Sequence, residues 1–393
     1  MADKQVRVGI VGSGFAAAFH YEALKRVYST EPVVVGVYSP TADKRKRFAA
    51  DRGIEAFDDL ASLVGETEVL HVCTPPSSHE EITVAALDAG KTAIVEKPFT
   101  GYFGDGTAEF SGDSFSREEG LNAAVGSIRR ILAAEEKSSG QVLYAENWVY
   151  APAVQKEREI IEKTQAQVVW MLGQESHSGS HSPFYGIWAH SGGGSIMGKS
   201  VHPLSAAIYL KKVEGRMRRG SAIRPATVSA RSHTVARSDS YIDRGYLKTG
   251  YTDIEDFGAL HVVFEDGTFA DIFASELVHG GVKNWIEVNA NNHRTVCNIN
   301  PNNAMETYNP EGKNFDDIYT VEKTGTKEGW SFTSPDEAWF HGYQHEMEAF
   351  YRSVVTGTPA ESDSQLAADT IAVVYAAYLS AERKGIEVEV PLV

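Results

Sequence analysis

The sequence predicts an α/β chain of two parts. A doubly wound domain spans residues 1–150, and an α+β domain with an open, mainly antiparallel sheet spans 151–393. Three observations carry this expectation. Residues 6–11 form a short apolar run that leads into Gly12-x-Gly14-x-x-Ala17 and then a helical pattern. Buried-strand runs alternate with helical stretches as far as Trp148, and from about residue 165 strands follow one another through hairpin signals such as Glu265-Asp266-Gly267.

The Gly12 turn reads as a dinucleotide-binding, or Rossmann, turn. Its first glycine permits the bend, its second lets the backbone approach a pyrophosphate, and Ala17 lets helix pack on strand. Gly12, Ser13, Gly14, Phe15 and Ala17 are therefore candidate cofactor contacts. Val33–Tyr38 is a second buried strand, followed by a basic helix over 41–52. An acidic residue closing that strand would bond a ribose 2′-hydroxyl and repel a 2′-phosphate, but the position holds Ser39, with Lys44 five residues on. The cofactor read from these residues is NAD or NADP, and Ser39 with Lys44 favours NADP. Lys44, Arg45, Lys46 and Arg47 also fit a solvated helix face.

Val69–Thr74 is the next strand. Its Pro75-Pro76 turn puts Thr74 and Pro75 beside the nicotinamide-side ribose, and His79 opens the following helix either as a cofactor contact or as an exposed cap. Thr92–Val95 presents Glu96-Lys97-Pro98, with Lys97 as the working residue at a strand end. The Gly- and aromatic-rich stretch 101–118 is too long for a routine connection, which suits a substrate-side lid, a subunit contact or a disordered segment. Ser116-x-x-Glu119 reads as a capping box for a helix reaching Lys137, and Leu143–Trp148 closes the first domain. Strands are expected over 168–172, 227–235, 259–264, 269–275, 285–290 and 295–299. A long apolar helix, 364–384, packs back on the first domain before a short strand at 386–390.

Lys and Arg number 37 against 53 Asp and Glu, a formal charge of −16, which disfavours a nucleic acid partner. No apolar run reaches the length of a membrane span and no signal peptide precedes the first strand, so a cytoplasmic protein is expected. Cys73 and Cys297 suit reduced thiols.

Taken in order, Gly12-x-Gly14-x-x-Ala17, Thr74-Pro75-Pro76-x-x-His79, Glu96-Lys97-Pro98 and Gly192-Gly193-Gly194 followed by His202 resemble the Gfo/Idh/MocA oxidoreductases. The likeness extends to Gly342-Tyr343-x-x-Glu346-x-x-x-Phe350. The resemblance implies a hydride transfer between a nicotinamide and a secondary hydroxyl of a sugar, glycoside or cyclitol. It makes Lys97 and His202 catalytic. His202, titrating near neutrality, would accept the hydroxyl proton, and Lys97 would donate to the oxygen; a well-placed base is worth about 10² to 10⁴ in rate. Glu96, Lys97 and Asn147 would contact the cofactor, and Lys97, Tyr150 and His202 the substrate. Tyr185 and Trp188 could stack on or bond sugar hydroxyls, and Lys199 could donate to one.

The family usually carries Gly-Gly-Gly-x-x-x-Asp-x-x-x-His, and here the acidic position is Gly198. That departure and the 101–118 stretch resemble a glycoside-oxidising subgroup acting at C3. Two rivals are a redox-assisted glycosidase with retained NAD and a non-catalytic sugar sensor that binds NAD(P). A homodimer or homotetramer through the open sheet is a family expectation. His177 and His181 flank Ser-Gly-Ser, a loop and not a helix face, so no metal site is expected.

Overall fold

The computed structural model describes residues 5–180, 182, 184–300 and 304–393. Strands β1 (Gln5–Val11), β2 (Glu31–Tyr38), β3 (Glu55–Ala56), β4 (Val69–Val72), β5 (Thr92–Glu96) and β6 (Val142–Ala145) form one sheet in the order β3-β2-β1-β4-β5-β6. All its pairs are parallel. Strands covered by helices on both faces must be apolar throughout, and every residue of β4 and β6 is buried. The order reverses between β1 and β4, which opens a crevice beyond their carboxyl ends. Gly12, Thr74, Lys97 and Glu146 all follow strand ends on that edge.

Strands β7 (Val168–Ser176), β8 (Pro225–His233), β9 (Phe257–Phe264), β10 (Phe269–Ser275), β11 (Lys283–Ala290) and β12 (Arg294–Asn300) build the second sheet. A hairpin of β13 (Glu306–Asn309) and β14 (Gly329–Phe332) stands apart, and β15 (Val388–Glu389) joins the second sheet at the edge next to β8. Only β7 and β10 pair in parallel; the other neighbours are antiparallel. That parallel pair matters for the site. Ser176 stands opposite Ser275, so Glu175, His177 and Glu276 leave the sheet at one place.

The helix Ser364–Glu382 packs against both Arg117–Lys137 of the first part and Val201–Arg219 of the second, and one apolar core runs through the two sheets. The helix ends at Glu382, two residues before the expected stop, and β7 runs four residues beyond its expected end. The β13–β14 hairpin was not foreseen. Both cysteines are buried free thiols. Among the described residues no helix is long and apolar enough to cross a membrane.

The stretch 101–116 is docked within its own chain. The Tyr102 N–H donates to the Tyr375 hydroxyl at 2.6 Å, and the Trp188 indole donates to the Tyr102 carbonyl at 2.9 Å. Asp253 accepts from the Gly112 N–H at 2.6 Å, and Asp113 forms a two-pronged pair with Arg237 at 2.7 and 2.8 Å. The Arg117 guanidinium lies over the rings of Phe115 and Trp188, 4.3 and 4.2 Å from their centroids. Ser116 caps the helix that follows, as the spacing predicts, but Glu119 accepts from Tyr102 instead of closing a box.

Candidate active site

At the first crevice wall, Gly12 has φ +116°, and a Cβ there would stand 2.3 Å from the Cys73 carbonyl oxygen; only glycine fits this approach. A Cβ on Gly14 would meet nothing within 4 Å. Gly14 caps Phe15–Leu24 without a side-chain bond, so the cap residue leaves the first N–H groups of that helix unpaired. This open, donor-rich helix end fits a pyrophosphate. Ala17 is buried, as expected, and Phe15 is exposed.

Ser39 lies at the end of β2, and its hydroxyl is 2.9 Å from that of Ser13. Lys44 is exposed, but Arg45 departs from the solvated-face expectation. It is buried, donates to the Ser39 carbonyl at 2.8 Å and pairs with Asp58 at 2.6 Å.

Several expected contacts turn out to be internal supports. His79 is buried, with Nδ1 2.9 Å from the Pro98 carbonyl and Nε2 3.0 Å from that of Thr74. It is not an exposed cap, and its two ring nitrogens link the turn after β4 to the turn that follows Lys97. Burial lowers its pKa, and the two carbonyls oppose that shift. Glu96 spends one oxygen on His20 at 2.9 Å and the other on the Lys97 N–H at 2.9 Å. Behind it, His20 Nδ1 meets His71 Nδ1 at 2.8 Å, and His71 Nε2 meets the Tyr351 hydroxyl at 2.9 Å. Asn147 gives its amide to the His341 carbonyl at 2.8 Å. The Tyr150 hydroxyl is bound to Ser362, and the buried Trp188 holds the 101–116 stretch. These residues are occupied because each lies at a junction where buried main-chain groups need partners. Thr74 accepts from the Ser78 hydroxyl at 2.8 Å, while Pro75 is exposed on the crevice side.

Lys97 and His202 do converge. The Lys97 ammonium donates to the Gly198 carbonyl at 3.2 Å, one turn before His202 on the same helical run. His202 is buried, stacks on Trp148 at 5.9 Å, and has Nδ1 2.7 Å from Glu146 and Nε2 3.7 Å from Glu175. Burial pushes it down to about 3, with Lys97 and Lys199 also opposing its charge. The expectation of a histidine titrating near neutrality is therefore corrected. Burial lifts the Glu146 carboxyl well above the usual range, so the pair favours neutral forms.

The glycines are explained by their neighbours. A Cβ on Gly193 would stand 2.1 Å from the Tyr378 hydroxyl, and one on Gly194 would stand 2.0 Å from the Glu255 carbonyl oxygen. Residues 196–200 form a π-helical turn, a widened coil that places Lys199 toward Glu276 at 3.3 Å. At Gly198 a Cβ would stand 2.4 Å from the Tyr185 hydroxyl, which donates to Glu276 at 2.7 Å. Burial and Glu276 hold that phenol protonated.

Glu146, Glu175, Glu276 and Lys323 were missed by sequence reasoning, since strand ends and a loop bring them together from separate stretches. The one visible signal for the three glutamates was an acidic residue at or next to the end of β6, β7 and β10 in turn. His181 lies outside the described residues, and His177 faces Lys323 at 2.8 Å.

Residues 6–108 match the model of the GFO_IDH_MocA group, described as an oxidoreductase family with an NAD-binding Rossmann fold. A UDP-N-acetylglucosamine 3-dehydrogenase from Acidithiobacillus ferrooxidans is 28% identical over 126 residues, 32% of this chain and 38% of that protein. An inositol 2-dehydrogenase from Leifsonia xyli is 34% identical over 97 residues, 24% of this chain and 28% of that protein. These alignments span well under half the relatives' own length. The fold of the whole chain matches GenD2 from gentamicin A biosynthesis, solved in complex with NAD, at a TM-score of 0.78 with 21% identity, covering 100% of this chain and 98% of that one. It also matches an apo scyllo-inositol dehydrogenase from Lactobacillus casei at 0.72 with 15% identity, covering 99% of each.

Proposed function

From a first domain that belongs to the Gfo/Idh/MocA oxidoreductases, we propose that the chain is an NAD(P)-dependent dehydrogenase acting on a secondary hydroxyl of a sugar, glycoside or cyclitol. Residues 1–150 hold the nucleotide, and residues 151–393 hold the substrate. The open face of the second sheet is the surface for pairing with another subunit. The carrying observation is the meeting of the Lys97 ammonium with the helical turn that ends in His202, each from a different sheet system.

Gly12, Ser13, Gly14 and the Phe15–Leu24 helix end would hold the pyrophosphate, and Ser39 with Arg45 behind it would face the ribose. Ser39 places no negative charge against a 2′-phosphate, which supports NADP. The cofactor, when bound, supplies the hydride acceptor. The protein has to manage the proton.

In the working state Glu146 is a carboxylate that holds the Nδ1–H of His202, which leaves Nε2 with a lone pair. As Nε2 takes the hydroxyl proton, the Nδ1 proton passes to Glu146. The imidazole thus stays uncharged, and the raised affinity of Glu146 for a proton does the work that a pKa near 3 forbids to His202 alone. Lys97 donates to the substrate oxygen and stabilises its developing negative charge.

The test is a panel of sugars, methyl glycosides and cyclitols with NAD⁺ and NADP⁺, read by absorbance of the reduced nicotinamide. Turnover is expected, and Lys97→Met should lower kcat by about 10² or more with nucleotide binding intact. Unimpaired turnover in that variant overturns the role of Lys97. Sugar release without net reduced cofactor would indicate the glycosidase, and nucleotide binding with no turnover on any polyol a sensor.

A further inference from the structure

Besides Glu146, whose Oε2 has no hydrogen-bond partner among the described residues, two further carboxylates in the crevice lack a full set of partners. Glu276, just beyond the end of β10, is fully buried. Its Oε1 accepts from Tyr185 at 2.7 Å and lies 3.3 Å from the Lys199 ammonium. Its Oε2 lies 3.3 Å from His177 Nδ1 and has no hydrogen-bond partner among the described residues, although the Tyr251 phenol also faces this carboxylate. Glu175, on the neighbouring strand β7, is buried as well. Its Oε2 also has no hydrogen-bond partner among the described residues, and it lies 3.7 Å from His202 Nε2. The cations nearby are engaged: Lys97 with Gly198, Lys199 with Glu276, and Lys323 with His177.

A buried acceptor left without a donor is destabilising, so what completes this site is a molecule that brings donors. Resting on the oxidoreductase reading of the same crevice, we propose that Glu175 and Glu276 form a hydroxyl-reading subsite for an uncharged polyol ring. Glu175 stands next to the reacting centre through His202, and Glu276 stands one strand away, so neighbouring hydroxyls of one ring are the matching donors. Tyr185 and Lys199 hold Glu276 in place, and Gly198 is side-chain-free because the Tyr185 phenol fills the space a side chain would take. The acidic group that the sequence lacks at 198 thus enters from strand β10. A phosphate or carboxylate substituent at this subsite would bring only acceptors and a like charge against two carboxylates, and is selected against.

The test is calorimetric titration of the NAD⁺-bound protein with methyl β-D-glucopyranoside, myo-inositol, glucose 6-phosphate and glucuronate, in wild type, Glu276→Gln and Glu175→Gln. A neutral compound should bind more tightly than either anionic sugar. Its Kd should rise about tenfold or more in Glu276→Gln, because an amide replaces the accepting oxygen with a donor, while NAD⁺ affinity stays unchanged. Neutral ligands that fail to bind, bind less tightly than the anionic ones, or keep their Kd within twofold in both variants overturn the subsite. Reduced-nicotinamide formation in the wild type judges the other reading separately. Binding without turnover sinks the dehydrogenase and leaves the subsite, whereas turnover with unmoved affinities sinks the subsite alone.

Discussion

The Tyr185 phenolic oxygen lies 2.4 Å from where a Cβ on Gly198 would stand, with two ring carbons at 2.9 and 3.0 Å. The residue at 198 and the ring at 185 are therefore alternatives in space. Gly198→Ala should push the ring away from Glu276, cost about 1 to 3 kcal/mol of stability, and raise sugar KM about tenfold. Adding Tyr185→Ala removes the clash, so the stability costs of the two changes should fall short of additive, while the KM stays raised. Denaturation midpoints and steady-state kinetics check both.

The pH dependence should follow the Glu146–His202 pair and not a free imidazole. Glu146 is shifted upward by burial, so the proton-accepting state is lost as pH falls through that raised titration and regained above it. The kcat/KM profile should rise with pH above the ordinary carboxylate range. Glu146→Gln should lower kcat by about 10² to 10⁴ and remove that limb. An unchanged limb in this variant would assign the titration elsewhere.

The proposed preference for NADP makes the Ser39 hydroxyl a test of cofactor choice. Ser39→Asp places a carboxylate beside Ser13, where it would repel a 2′-phosphate and accept from a ribose hydroxyl. NADPH affinity should fall about tenfold or more, a change of about 1.4 kcal/mol, while NADH affinity holds or improves. Fluorescence titration of the two reduced nucleotides reads the result, and equal losses for both would rule out a phosphate-facing role for Ser39.

Trp188 is a structural residue and not a sugar platform. Its ring is buried under Arg117 and against Phe115, so Trp188→Ala should cost about 3 to 5 kcal/mol. Phe184→Ala, at an exposed ring four residues away, should stay within about 0.5 kcal/mol. Urea unfolding of the two variants separates them.

The sequence was legible wherever function depends on local backbone. Gly12 through Ala17 and Glu96 through Pro98 announce a turn and a strand end through residue types that only those geometries require. It was illegible wherever a polar side chain could serve either a ligand or the fold. Asn147, Tyr150 and His79 sit in the right stretches, yet each is taken by a buried carbonyl or hydroxyl from elsewhere in the chain. Spacing carries no information about such partners. Glu276 is the converse case. Its relevance comes from the parallel pairing of β7 with β10, which sets it beside Glu175 across about one hundred residues of chain.

The docked 101–116 stretch ties the first lobe to the second, through Tyr102 with Tyr375 and Trp188, and through Asp113 with Arg237. A crevice laced shut along that flank cannot gape like a hinged shell. A hinge-like opening on that flank would have to break these contacts first.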